Sequence, residues 1–391
     1  MAAGEPLTTV RHSCWVWVCD QLSGNVVMVN VATTRHPGPA PSAGSASPVD
    51  WSVAATTGQV LAGGGPSVDP GEARAAVREL RDITSVAEQH VRELTGLGAG
   101  LPLRAGEVVD RPGWVKAAVE GLAALTDGAL PATYGGPLGN VLAGTAGVQA
   151  GMVLAFLSSR VLGQYDPFGG DDGAGRLLLV APNIVGAQRA LGVSATDFRL
   201  WVCLHECTHR LQFTAVPWLR DYFAGEVGRL LGSIDEGALD ALGRLPDALR
   251  VARERLRSGA RNSGPVGLIE LFQTPEQRQL LDRLIALSTL LEGHADHVMD
   301  AVGPTVVPSV AVIRRRFAER RKGGGVLDRL LRSLLGVEAK VRQYAEGSAF
   351  TRQVVDTVGM AGFNAVWTDS STLPTRDEIA DPDVWLRRVH G

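Results

Sequence analysis

One short pattern constrains the fold of this chain of 391 residues more than any other, and it is His205-Glu206-Cys207-Thr208-His209. Two histidines four residues apart share one face of an α-helix, so both rings can reach a single metal ion. Glu206 is rotated toward the position where a water would complete the coordination of that ion. Only 8 histidines occur in the chain, so an accidental match is improbable. The pattern predicts a zinc site on a helix, with His205 and His209 as ligands and Glu206 as general base.

The residues on either side predict that this helix is apolar. Ser194 and Asp197 form a helix start signal, and Pro217 lacks the amide proton that a continuing helix needs. Hydrophobic residues occupy much of the stretch between them, namely Phe198, Leu200, Trp201, Val202, Leu204, Leu211 and Phe213. In such a buried helix, a His-Glu-His cluster without a metal would leave polar groups without partners. We expect Cys203 and Cys207 to be small buried hydrophobic residues rather than ligands.

Two histidines do not complete a catalytic zinc site, so a third protein ligand must come from a distant segment. A long helix is predicted from Thr274, with Pro275 at its first position and a stop at Gly303-Pro304. Glu292 and Asp296 lie one turn apart on it. This spacing lets Glu292 bind the metal while Asp296 accepts a hydrogen bond from the far ring nitrogen of a ligand histidine. The residues alone leave rival ligands open on the same helix, which are His294, His297 and Asp300.

Glu292 and Asp296 also match the downstream E-x-x-x-D of the glutamate-ligand zincins. More narrowly, the chain resembles the zincin-like metallopeptidases of type 2, an actinobacterial family of hydrolases that genomic context associates with the deazaflavin coenzyme. The matching stretches are 49–51, 109–115, 163–168, 178–184, 204–213, 291–300, 343–344, 367 and 373–375. The resemblance implies a zinc hydrolase with His205, His209 and Glu292 as ligands and Glu206 as base. It implies no particular substrate, and no residue pattern for binding a deazaflavin is present.

These residue types are suited to the hydrolysis of a peptide or amide bond. The metal would polarise the substrate carbonyl, while Glu206 would take a proton from the attacking water and pass it to the leaving group. Such sites commonly add a donor for the oxyanion, and Tyr344 is our candidate, ahead of Tyr222 and Tyr165. The run from Gly175 to Ala181 predicts a strand, which could bind a peptide if it lies at a sheet edge. If that strand is central, it contacts no ligand, and the sequence leaves both alternatives open.

Composition narrows the classes of partner and compartment. With 45% hydrophobic residues, 20% charged residues and a net charge of -3, the chain is typical of a globular protein without a nucleic-acid partner. The basic stretch 314–322 is expected to be a solvated helix end. Four cysteines do not make a disulfide framework, and the N-terminus lacks signal-peptide features, so we predict a cytoplasmic protein. The uncharged stretch 138–159 is expected to be a buried helix with close-packed small residues, not an integral membrane segment.

The chain divides into a short extension and one large domain. Within residues 1–48, Ser13–Asp20 and Asn25–Ala32 predict a hairpin, and Thr33–Pro48 predicts a linker rich in Pro, Ser and Gly. Residues 49–391 are predicted to form a single domain, because the two metal helices must meet. Further helices are predicted at 70–97, 113–127, 140–162, 218–231, 235–260, 327–335, 337–360 and 375–379. The predicted fold class is mainly α (α+β), a helical bundle around the motif helix with a small β-sheet beside it.

Two other classes of function stay open at this point. A catalytically silent zinc-binding scaffold would hold the metal without an accessible coordination position. A protein-interaction module would use the helical surface while the site stays idle. Glu206 argues against both alternatives, because a purely structural zinc site has no use for a base. The preferred prediction is a zinc metallopeptidase that acts on a peptide or protein substrate.

Overall fold

The computed structural model describes residues 10–20, 25–35, 47–127, 137–170, 174–233, 274–321 and 337–391. Strands β1 (Val10–Asp20) and β2 (Asn25–Arg35) form an antiparallel hairpin in which Cys14 lies opposite Val31. The predicted hairpin is thus present, and both strands extend further at their outer ends than predicted. Thr33 to Arg35, which were predicted as the start of the linker, belong to β2, and residues 36–46 lie outside the described part of the chain. The division at residue 48 stays a prediction.

Helices make up most of the described chain, and several begin at a residue that the sequence marks as a cap. The side chains of Asp50, Asp69 and Asp110 each accept hydrogen bonds from backbone N–H groups in the first turn of the helix that follows. The helices before the motif are α1 (Trp51–Leu61), α2 (Pro70–Thr95), α3 (Arg111–Thr126), α4 (Pro137–Ser158) and α5 (Ala181–Leu191). The mainly helical α+β class is confirmed.

The motif helix and the helices that follow it complete the bundle. They are α6 (Ala195–Thr214), α7 (219–233), α8 (Pro275–Ala301), α9 (Gly303–Val306), α10 (Val310–Arg321), α11 (Val337–Phe363), a 3-10 helix (Asn364–Trp367), α12 (Arg376–Ala380) and α13 (Pro382–His390). The predicted helices agree with these bounds to within a few residues. The helices predicted at 235–260 and 327–335 lie outside the described residues.

Three short strands form a small sheet beside the motif helix. They are β3 (Glu107–Val109), β4 (Gly163–Asp166) and β5 (Arg176–Val180), in the order β3-β5-β4. β5 runs parallel to β3 and antiparallel to β4. Of the two alternatives that the sequence left open, the structure therefore shows the central position for β5. Among the described strands of this sheet, β4 forms the edge on the side of α6.

The motif helix α6 is buried along most of its length. Oγ of Ser194 accepts a hydrogen bond from the backbone N–H of Asp197, as the start signal predicts, and the helix ends at Thr214, before Pro217. Cys203 and Cys207 are fully buried, which confirms that they pack as small apolar residues. Burial raises the pKa of both thiols, that of Cys203 to about 12, which disfavours thiolate ligands there.

A second long helix, α8, supplies the other half of the site. The helix begins where it was predicted, with a capping box in which Oγ1 of Thr274 accepts from the N–H of Gln277 and the Gln277 side chain accepts from the N–H of Thr274. A Cβ atom at Gly293 would lie 2.2 Å from the carbonyl carbon of Gly347 in α11. Glycine is therefore required at this position because two helix backbones touch there. The contact places α11 against α8 next to Glu292.

The uncharged helix α4 packs through small residues, as the sequence predicts. A Cβ atom at Gly151 would lie 2.6 Å from the carbonyl oxygen of Ala54 in α1, and one at Gly147 would lie 2.4 Å from that of Asp50. Within the described chain, Gly139–Ser158 is the one helical stretch long and apolar enough to cross a membrane, and half of it is buried inside the protein. The absence of an integral membrane segment stays a prediction.

Candidate metal centre

Three side chains from two helices meet at one point in the bundle. His205 and His209 extend from α6, Glu292 extends from α8, and their ligand atoms all lie within 4.8 Å of one another. Nε2 of His205 is 3.0 Å from Nε2 of His209. The two carboxylate oxygens of Glu292 lie 3.4 Å from Nε2 of His205 and 3.6 Å from Nε2 of His209. The structure thus brings together the three residues that the sequence suggests as ligands.

The dimensions and bonding of this triangle fit a divalent metal ion. Two ligand atoms at zinc-ligand distances of about 2.0–2.1 Å in a tetrahedral site lie roughly 3.3 Å apart, and the three observed separations bracket that value. Oε2 of Glu292 is buried and accepts no hydrogen bond from any described residue, and the same holds for both oxygens of Glu206. Buried carboxylate oxygens without donors are costly unless a cation is nearby.

The charges of the three side chains depend strongly on one another. Burial lowers the pKa of His209, but the negative charge of the nearby Glu292 outweighs burial and raises that pKa to about 9. Burial raises the pKa of Glu292, but the two histidines outweigh it and hold the pKa well below its usual range. The cluster therefore attracts positive charge to the histidine nitrogens. A divalent cation meets the same demand without a proton.

Gln212, one turn beyond His209 on α6, orients that ligand, and our sequence reasoning missed it. Its side-chain nitrogen Nε2 lies 2.9 Å from the carbonyl oxygen of Leu291, which can only accept a hydrogen bond. The amide oxygen must therefore face His209, where it lies 2.9 Å from Nδ1. Nδ1 of His209 then carries the proton, and its Nε2 has a lone pair for a metal. The i, i+3 spacing from His209 to Gln212 is the signal that could have revealed this role.

Asp296 does not have the partner that we predicted for it. Its carboxylate lies 3.6 Å from Nη1 of Arg314 in α10, and its backbone carbonyl accepts a hydrogen bond of 2.9 Å from the same guanidinium. Nδ1 of His205 has no hydrogen-bond partner among the described residues. The predicted contact is absent because Arg314 of α10 lies against this face of α8 and attracts the carboxylate. Gln212 performs for His209 the role that we assigned to Asp296.

The rival ligands on α8 all have other surroundings. Nδ1 of His294 lies 3.0 Å from Nε2 of Gln212, its ring stacks on Phe363, and it is not part of the ligand cluster. Burial lowers the pKa of His294 to about 3, which keeps the ring neutral. Asp300 pairs with Arg314 at 2.7 Å. His297 is half-buried and is not part of the ligand cluster.

Glu206 is fully buried beside the ligands, at the edge of the sheet. Burial raises its pKa to about 7, although the nearby histidines act in the opposite direction. A carboxyl group with a pKa near neutrality can both accept and return a proton at physiological pH. A Cβ atom at Gly163 of β4 would lie 2.7 Å from Cγ of Glu206, so only glycine allows the edge strand to lie against this side chain. Our sequence reasoning assigned no role to Gly163.

The three tyrosines considered as oxyanion donors differ in what can be said of them. Tyr344 belongs to α11, but its side chain lies outside the described residues. The hydroxyl of Tyr165 donates a hydrogen bond of 2.9 Å to the carbonyl of Ala174, and its ring packs against Phe213. Tyr222 packs edge-on against Trp218. Tyr165 is therefore committed to a structural contact, and the role of Tyr344 stays a prediction.

Comparisons with known proteins show the family to which this chain belongs. The chain matches the family model of the zincin-like metallopeptidases over residues 49–386. A solved structure from Chloroflexus aurantiacus, described as a candidate hydrolase with a novel fold, is 30% identical and has a TM-score of 0.59. That match covers 87% of this chain and 98% of the other. None of the curated proteins matches this chain. Because the family model covers most of its length, the chain belongs to the zincin-like metallopeptidase family.

Proposed function

We propose that this protein is a zinc-dependent metallopeptidase that hydrolyses peptide or amide bonds. His205, His209 and Glu292 are the zinc ligands, and Glu206 is the general base. One observation supports this most strongly: three ligand atoms within 4.8 Å of one another lie beside a fully buried carboxyl group whose pKa is about 7. A purely structural site would not need that group.

The residues of the chain have distinct parts in the proposed reaction. Bound zinc would supply Lewis acidity toward a water and toward the substrate carbonyl. Glu206 removes a proton from the attacking water and returns it to the leaving amine, which its pKa of about 7 favours. Gln212 holds His209 in the tautomer that leaves Nε2 free to bind. Glu292 reduces the net charge of the site and favours a cation there.

The edge strand β4 suggests how a peptide would bind. No other described strand pairs with the free edge of β4, so an extended peptide could add to the sheet by backbone hydrogen bonds. Gly163, at the start of β4, lies against Glu206. A peptide paired with this strand would therefore pass next to the base. This role replaces the one that we considered for β5 from the sequence.

Tyr344 stays our candidate for the oxyanion donor. It lies on α11, one turn before Gly347, whose backbone touches α8 at Gly293 next to the ligand Glu292. Removal of one oxyanion donor typically lowers kcat by about 10²–10³. We therefore expect Tyr344→Phe to lower kcat by about that factor while the affinity for zinc stays unchanged. Unchanged kcat in this variant would reject the assignment.

The function can be tested by metal analysis combined with a peptide-library cleavage assay on wild type and Glu206→Gln. We expect one bound zinc in both proteins and hydrolysis only in the wild type. Zinc without hydrolysis in either protein would instead indicate a catalytically silent scaffold. Absence of zinc in both would indicate a protein-interaction module. The Gln substitution preserves the size of the side chain, so loss of activity would not reflect lost packing.

A further inference from the structure

A cavity of about 320 Å³ lies beside the C-terminal half of α6, on the side of α2 and β4. Its walls include Arg92, Arg210 and Glu88, together with the aromatic rings of Tyr165 and Phe213. We propose that this cavity binds the carboxylate of an organic ligand and that Arg210 is its main polar contact.

The bonding of Arg210 is the first argument. This side chain is only 5% exposed, and its Nη1 donates a hydrogen bond of 2.6 Å to Oε2 of Glu88. Nη2 of the same guanidinium is buried and has no hydrogen-bond acceptor among the described residues. A buried guanidinium nitrogen without an acceptor is unfavourable, and a carboxylate oxygen is its best partner.

The balance of charge along the described walls is the second argument. Glu88 is the one acidic residue among them, and it already binds two guanidinium groups, since Arg92 also donates to it through Nε at 3.1 Å. Arg104 and Arg220 line the same cavity, and each also has interaction partners of its own. Burial raises the pKa of Tyr165 to about 12, and the positive charges of Arg210, Arg220 and Arg104 oppose that shift. Three cationic side chains therefore act on the one phenol that forms part of the wall.

Size and apolar lining indicate an organic ligand rather than a bare ion. Pockets for small organic molecules begin at about 300 Å³, and this cavity reaches that volume. Tyr165 and Phe213 pack with their ring centroids 6.0 Å apart, and Leu101 and Pro102 add further apolar surface. The carbon part of a ligand would contact these side chains, and its carboxylate would face Arg210.

The cavity is close to the proposed catalytic site. Positions 163 and 165 face the same side of β4, because successive residues of a strand alternate between its two sides. Gly163 touches Glu206 on that side. Two residues along a strand span about 6.6 Å. If the proposed function holds, the carboxylate therefore belongs to the peptide substrate, one or two residues from the bond that is cleaved. An acidic side chain and a free C-terminus both provide this chemistry.

Binding can be tested without any catalysis. Zinc-loaded Glu206→Gln protein is titrated with the α-amide of N-acetylglutamate, which has one carboxylate, with the α-amide of N-acetylglutamine, which has none, and with inorganic phosphate, and binding is followed by ligand-detected NMR. We expect the acid, the α-amide of N-acetylglutamate, to bind at least about tenfold more tightly than its glutamine counterpart, the amide, because a charge-assisted hydrogen bond distinguishes them. Equal binding of acid and amide, or binding of phosphate alone, would overturn the proposal. Failure of the proposed function would leave this result unaffected.

Two variants assign the binding to the cavity. Arg210→Met should abolish the preference for the acid. The double variant Glu88→Gln/Arg210→Met replaces both partners of the buried pair and so serves if the single variant does not fold. An acid preference that survives in either folded variant would overturn the proposal.

The sequence also has Asp171 and Asp172 shortly before Ala174, which lines the cavity. Acid binding that arises only in Asp171→Asn/Asp172→Asn would show that the chain's own carboxylates fill the site, which also overturns it.

In the wild-type enzyme, the same preference should govern turnover. Peptides with a glutamate or a free C-terminus one or two residues from the cleaved bond should have a higher kcat/KM than their glutamine or amidated counterparts. Comparing side-chain acids with C-terminal acids distinguishes the two sources of the carboxylate. Arg210→Met should remove this preference while zinc content stays at the wild-type level. Hydrolysis that ignores the acid would overturn the substrate assignment and leave the peptidase proposal intact.

Discussion

Gln212 offers the sharpest test of how this site is assembled. Its fully buried side chain makes three contacts, with Nδ1 of His209 at 2.9 Å, the carbonyl of Leu291 at 2.9 Å and Nδ1 of His294 at 3.0 Å. Gln212→Met keeps the approximate shape and removes all three contacts. Without an acceptor on Nδ1, the tautomer and orientation of His209 are no longer fixed. Loss of such a partner typically costs about 10- to 100-fold in metal affinity, or about 1.4–2.8 kcal/mol.

Gln212→Glu is the matched control because it separates the two functions of the amide. A carboxylate still accepts the proton of Nδ1 of His209, so zinc affinity should stay within about threefold of wild type. The same carboxylate cannot donate to the carbonyl of Leu291 and instead repels it. Both variants should therefore unfold at a lower temperature without zinc, since each leaves a buried acceptor without its donor, at about 1–3 kcal/mol. Only the methionine variant should lose zinc affinity.

The measurement is a zinc titration in competition with a chromophoric chelator, combined with calorimetric melting of the zinc-free proteins. If Gln212→Met binds zinc as tightly as wild type, the argument from tautomer to affinity is refuted. If both variants lose affinity equally, Gln212 acts only through packing. The tautomer can be observed directly, because the ¹⁵N chemical shifts of the His209 ring distinguish a protonated Nδ1 from a protonated Nε2.

Four further predictions follow from the same geometry. Glu206→Gln should lower kcat/KM at least about 10²-fold. The activity of the wild type should fall as the pH drops below about 7, the pKa of the base, and the residual activity of the variant should lack this fall. Chelation should lower the melting temperature, and added zinc should restore it, because zinc at 100 times its Kd adds about 2.7 kcal/mol to the free energy of unfolding. An unchanged melting temperature would argue against a metal in the folded state. Gly163→Ala should lower activity, because its Cβ would lie 2.7 Å from Cγ of Glu206, whereas Gly225→Ala, with no atom closer than 3.8 Å, should not. Burial raises the pKa of Glu378, but its hydrogen bonds with Arg388 and the backbone lower it overall. The pair contributes about 1 kcal/mol of stability, which is present above the unfolded pKa of about 4.3 and should be lost as the pH falls below it. Glu378→Gln should therefore make stability depend less on pH between neutrality and acid pH.

The features that could be predicted from the sequence are those whose residues all lie on one helix, because the helix itself fixes their relative positions. His205, Glu206 and His209 are related by one turn, so their relative positions follow from the helix alone. The start signals at Ser194 and Thr274 are likewise local, and the structure contains both. Glu292 could be suggested only because α8 was predicted as a helix and because the chain resembles a family with this ligand spacing.

Contacts between elements could not be predicted in the same way. Asp296 lies one turn from Glu292 as expected, yet its partner is Arg314, on a helix whose packing no local pattern encodes. The edge strand was missed for a related reason. Its four residues, Gly163 to Asp166, alternate too weakly to predict a strand, and only the pairing with β5 shows that they form one.

One side chain accounts for the way in which two distant segments form a single site. The amide of Gln212 accepts from His209 and donates to the carbonyl of Leu291, the residue directly before the third ligand. The same group therefore determines which nitrogen of His209 can bind a metal and links α6 to α8 next to Glu292. Because the amide cannot reverse without facing an oxygen toward the carbonyl of Leu291, ligand orientation and helix packing depend on each other. A substitution at the packing contact of Gly293 with Gly347 should consequently disturb metal binding as well as stability.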